Sequence, residues 1–130
     1  MTYIAFSMYS HKLSAKILCK KFRHCAPMIK KKDKFVLYQF VERNHVAKIE
    51  LSQRDLRILA KHGWEFIQYN AKFAPQHAKD VKTMSLTCVQ FTKHVYGIKN
   101  IFIQRPDDLY KYAKQKNAQT GVFLYRDGVK

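Results

Sequence analysis

The sequence predicts an α+β domain built on an antiparallel sheet. Three observations point there. Two strand-like stretches, "HCAPMIKK" and "KFVLYQFVE", flank a lysine-rich turn in the manner of a hairpin. Amphipathic helical segments are scattered singly and then follow one another, rather than alternating with strands as βαβ units do. The chain is 130 residues with four Gly and three Pro, and it has no linker-like tract or repeat, so residues 1–130 form one domain.

The elements follow in order. "TYIAFSMY" is β-branched and aromatic and suits a first strand. "HKLSAKILCKKF", His11 to Phe22, sets Leu13, Ile17 and Leu18 on one face and lysines on the other, a helix. The hairpin pair comes next, with "KKKDK" at its turn, and then "HVAKIELS", whose alternation suits a half-buried strand. "SQRD", Ser52 to Asp55, matches a capping pattern ahead of "LRILAKHG", with Gly63 as the stop. "WEFIQY" is another strand. "NAKFAPQHAKDVKTM" is a long irregular loop of the kind that often carries function. "SLTCVQFTKHVYG" is a helix ended by Gly97, "IFI" a short strand, "PDDLYKYAK" a helix opened by Pro106 and two acids, and "GVFLYR" a last strand.

A hydrophobic fraction of 47% with nine Phe and eight Tyr supplies a core and excludes a disordered chain. Against 9 Asp and Glu stand 25 Lys and Arg, a net charge of +16. A field of this size attracts polyanions, DNA, RNA or an acidic membrane face. Three cysteines, Cys19, Cys25 and Cys88, form neither a pairing pattern nor a zinc spacing, which fits a reducing compartment. No metal, nucleotide or flavin motif is visible, so no cofactor is expected. No signal segment and no membrane span is expected either, because no apolar run approaches the necessary length.

Cys88 falls where a helix begins, with Ser85 or Thr87 as its cap. A thiolate there is stabilised by unpaired backbone N–H groups and the helix dipole, and the same N–H groups can hold an oxyanion. The position equally suits a buried packing cysteine. A catalytic cysteine needs a base. Of six histidines, His77 lies in the irregular loop, and His94 shares the helix of Cys88 but points to another face. His11, His45 and His62 fall at element ends. His24 opens a predicted central strand and is the best placed, although an ordinary half-buried strand histidine would look the same.

"LTCVQFTKHVYGIKNIFIQRPDDLY" resembles a segment of small phage-encoded proteins in the papain-like, NlpC/P60-type superfamily. The matching residues are Cys88-Val89, Tyr96-Gly97-Ile98, Pro106 and Leu109-Tyr110. Upstream, "FRHCAPMIKKKDKFVLYQF" resembles the histidine strand and its successor, and "HGWEFIQY" the strand before the long loop. The histidine precedes the cysteine, as in circularly permuted relatives. The resemblance therefore implies a permuted papain-like fold with Cys88 as nucleophile, His24 as general base and Gln39 as the orienting residue. It departs from the family pattern at Tyr96 and Arg105. Gln39 can orient an imidazole but stabilises the imidazolium less than a carboxylate does.

Two functions are expected from this. One is a cysteine hydrolase or transferase cleaving an amide or thioester of a peptide or protein substrate. The other is a non-catalytic basic protein associated with nucleic acid or with virion proteins. For the latter, Lys20, Lys21, Arg23, Lys30, Lys31, Lys32 and Lys34 form a phosphate-binding cluster. The interleaved Phe22, Phe35 and Tyr38 would stack on bases only if exposed, and such strand aromatics are more often core. No sequence-specific base readout is expected. The resemblance sets the protein in the host cytoplasm or the virion.

Overall fold

The computed structural model describes residues 1–7, 24–41, 45–69, 71–72 and 88–118. The predicted helix His11–Phe22, most of the irregular loop and the last strand lie outside the described residues. So do Lys20, Lys21, Arg23, Cys19 and His77. Five strands are described: β1 (Thr2–Ser7), β2 (His24–Lys31), β3 (Lys34–Val41), β4 (His45–Leu51) and β5 (Glu65–Gln68). They form one antiparallel sheet in the order β4-β3-β2-β1-β5, so the histidine strand is central, as expected. Three helices accompany them: α1 (Gln53–Lys61), α2 (Cys88–Tyr96) and α3 (Pro106–Ala118). The class is α+β.

Helices cover both faces. On one, Ala26, Met28, Phe35 and Leu37 pack against Leu56 and Ala60 of α1. On the other, Ile4, Phe6, Cys25 and Tyr38 pack against Val89, Phe91 and Val95 of α2 and Leu109 of α3. This is why β1 is an unbroken apolar run: every residue from Thr2 to Ser7 is buried, whichever face it points to. Edge strand β4 instead exposes Lys48 and Glu50, charges that discourage a further strand from adding.

Local chemistry sets the ends. Ser52 Oγ accepts from the Asp55 N–H at 3.2 Å while the Asp55 carboxylate accepts from the Ser52 N–H at 2.8 Å, closing the expected capping box on α1. Gly63 follows α1 with φ 93° and Gly97 follows α2 with φ 68°, left-handed values that glycine adopts without cost. Pro106 opens α3, and the Asp108 carboxylate accepts from the Arg105 N–H at 3.1 Å.

One expected strand is absent. Ile101 and Phe102 form an exposed turn, at 73% and 82% exposure, instead of a strand. Asn100 makes the turn: its side-chain oxygen accepts from the Phe102 N–H at 2.9 Å. The Lys93 ammonium, buried beneath, donates to the carbonyls of Asn100 at 2.7 Å and Ile103 at 3.0 Å. Those bonds satisfy backbone groups that a strand would have offered to a neighbour.

Pro27 shapes the sheet around β2. It lacks the N–H that a ladder needs, and the β2–β3 pairing runs only from Met28↔Leu37 to Lys31↔Lys34. Pairing with β1 continues past Pro27 to Ser7↔His24. The first part of β2, which carries His24 and Cys25, therefore follows β1 and is not laddered to β3.

Candidate active site

Of the expected pair, Cys88 opens α2 and His24 opens β2. Cys88 is the first residue of α2, half-buried, and packs against the cluster that contains Cys25. Its thiol is held well below the ordinary cysteine value. The largest cause is a hydrogen bond from the Cys25 side chain. Burial opposes ionisation, and a hydrogen bond to His24, the His24 charge and the Cys25 backbone N–H oppose burial. A thiol so placed is a thiolate over a wider pH range than an ordinary cysteine, and the thiolate is the nucleophile.

His24 is half-buried at the start of β2. By strand alternation it shares the face of Ala26 and Met28, opposite Cys25. Its ring accordingly stands edge-on to Trp64, with centroids 6.4 Å apart and planes at 78°. As the first residue of the strand, His24 still favours the ionised form of Cys88. Its Nε2 is buried and has no hydrogen-bond partner among the described residues. Gln39 lies on β3, half-buried and paired with Ala47 on the side away from β2. It makes no bond to Nε2. Extended beyond Met28↔Leu37, the β2–β3 register would set Gln39 opposite Ala26 and Val41 opposite His24.

Two neighbours of the site were not among the expected residues. Cys25, 1% exposed, lies on the α2 face of β2, and its sulfur is 3.7 Å from Thr92 Oγ1. Thr92 in turn donates to the Cys88 carbonyl at 2.8 Å, so one hydroxyl joins the helix start to the central strand. The signal for Cys25 was present in the sequence: adjacent strand residues point to opposite faces, so a histidine and a cysteine in tandem can approach one target from two sides. Tyr96 fixes the other end of α2. Its buried phenol donates to the carbonyls of Tyr3 and Met28 on the two inner strands, and burial pushes its ionisation far up.

The lysines gather elsewhere. Lys30, Lys31, Lys32 and Lys34 surround the β2–β3 turn, at the end of β2 opposite His24, and all four are exposed. An eight-residue strand separates the two ends by about 23 Å. Lys34 reaches Glu50 at 3.7 Å, and the Lys30 ammonium sits 5.7 Å from the Phe35 ring centroid. Phe35 and Tyr38 are core residues, at 0% and 5% exposure, and offer no face to a base. Among the described residues no group of three or more His, Cys, Asp and Glu could hold a metal ion, and no helix is long and apolar enough to cross a membrane.

No protein-family model, curated protein or solved structure matches this chain.

Proposed function

We propose that this is a phage-encoded cysteine hydrolase or acyl transferase of permuted papain-like type, acting on an amide or thioester bond. The observation that supports the reading is the position of the Cys88 thiol at the start of α2, where Cys25 and His24 both favour its ionised form. In the reaction the Cys88 sulfur attacks the acyl carbon. The carbonyl oxygen takes the negative charge and accepts from the Cys88 backbone N–H. His24, protonated, gives its proton to the departing amine or thiol. It then takes a proton from water, or from an acceptor nucleophile, which attacks the thioester and releases Cys88. Gln39 is the polar side chain on the strand after the histidine, and its amide would accept from the second ring nitrogen when the site closes on substrate. Peptides or proteins are the substrate class.

Brief exposure to a small activated thioester, quenched in acid, should leave an acyl group on Cys88, located by peptide mapping and absent from Cys88→Ser. Acylation confined to lysines or to Cys19 would refute the reading.

A second reading rests on the exposed lysines of the β2–β3 turn and the net charge of +16. Here the protein is a non-catalytic basic component associated with nucleic acid or virion proteins. Lys30, Lys31, Lys32 and Lys34, with Lys20, Lys21 and Arg23, would contact phosphates without base specificity. Affinity for generic duplex DNA should then fall by about 10³-fold or more between roughly 50 and 200 mM salt. Glutamate at Lys31 and Lys32 should weaken it, and no binding at low salt would exclude this reading.

A further inference from the structure

The packing of Cys88 against the cluster that holds Cys25 has a chemistry of its own that does not depend on turnover of any substrate. We infer that Cys88 is a peroxide-oxidised modification site and that Cys25 is its resolving thiol, the two closing into a reversible disulfide.

Three features of the fold carry this. Cys25, on the central strand, belongs to a buried cluster, and Cys88, at the helix start, packs against that cluster. Thr92 ties the two together, with its hydroxyl 3.7 Å from the Cys25 sulfur and 2.8 Å from the Cys88 carbonyl. Access is asymmetric: Cys88 is half-buried, whereas Cys25 is 1% exposed. A small oxidant therefore meets Cys88 first, and Cys25 is sheltered until its partner has been oxidised. A thiolate with a thiol poised beside it is the arrangement redox-sensitive cysteines use.

The steps balance. The Cys88 thiolate attacks one oxygen of hydrogen peroxide, the O–O bond breaks, and hydroxide leaves to be protonated as water. Cys88 is now the sulfenic acid. The Cys25 sulfur attacks the Cys88 sulfur, the S–O bond breaks, and the hydroxyl departs as water with the proton from Cys25. Two thiols lose two electrons in all, and one peroxide becomes two waters. A low-molecular-weight thiol reverses the bond by exchange. Without Cys25 the sulfenic acid would have no adjacent thiol and would proceed to the sulfinic state.

The test uses the full chain and hydrogen peroxide at equimolar and tenfold ratios. Remaining thiols are capped with maleimide, and the products are mapped by protease digestion and mass spectrometry. Maleimide labelling of Cys25 and Cys88 should be lost in equal measure. A peptide pair joining them, two hydrogens lighter than the reduced pair, should appear and should vanish on treatment with dithiothreitol. In Cys25→Ala, Cys88 should instead be trapped by dimedone and accumulate sulfinic acid. The wild-type map decides the matter even if that variant does not fold. Sulfinic acid at Cys88 with Cys25 still fully labelled would overturn the inference. So would a disulfide from Cys88 to Cys19, or peroxide consumption that leaves Cys88 reduced.

Discussion

Replacing His24 with alanine should slow acylation of Cys88 by about 10²–10⁴-fold, the range general acid–base catalysis supplies. The loss has two parts. The thiol loses a hydrogen bond and a neighbouring positive charge, both of which favour its ionised form. The leaving group also loses its proton donor. The two separate by leaving group. An activated thioester departs unaided, so its rate should fall only as far as the thiolate fraction falls. An amide must be protonated as it leaves, and its cleavage should become unmeasurable. Paired assays on one protein preparation check this, and equal losses on both substrates would assign His24 a purely structural part.

The second large effect is expected at Phe91. It is fully buried on α2, within the cluster that joins that helix to the sheet. Truncation to alanine removes a ring that the neighbours cannot replace and should cost about 3–5 kcal/mol in urea unfolding. Phe91 lies three residues after Cys88 on the same short helix, so partial collapse around the cavity also moves the helix start. Cys88 in the variant should therefore lose its reactivity toward electrophiles under conditions where the protein is still folded by circular dichroism. An unfolding cost near zero would mean that α2 is not seated on the sheet as described.

Much of this fold could be read from residue patterns. The hairpin around the lysine turn, the capping box of Ser52 and Asp55 and the stop at Gly63 each rest on local chemistry that works the same way in isolation. The central place of the His24 strand was also legible, because that strand is the first arm of the hairpin and its first half is apolar at successive positions. What escaped depended on contacts distant in sequence or on single backbone atoms. "IFI" is β-branched and aromatic, but the buried Lys93 ammonium claims the carbonyls on either side and Asn100 turns the chain. Gln39 occupies the expected strand, yet the β2–β3 register aligns that position with Ala26 and not with His24, and the ladder stops at Met28↔Leu37. Cys25 shows in the sequence only as a cysteine outside any pairing or zinc spacing. It is buried, but it faces α2, and it favours the ionised form of Cys88 as His24 does. Neighbours of a reactive group on a central strand come in both parities, and only the tertiary arrangement shows that both are used.

The pH dependence of Cys88 alkylation tests the central claim most directly. Iodoacetamide reacts with the thiolate, so its rate against pH traces the ionisation of this one sulfur, read out by peptide mapping. In the wild type the inflection should lie well below 9.0, the ordinary thiol value. Alanine at His24 or at Cys25 should move it upward. Because the folded value is the depressed one, the ionised thiol adds stability above the ordinary value, and that contribution should fade as pH drops through the folded inflection. An inflection at or above 9.0 in the wild type, unmoved by either substitution, would contradict the account: Cys88 would then be a packing residue and not a nucleophile.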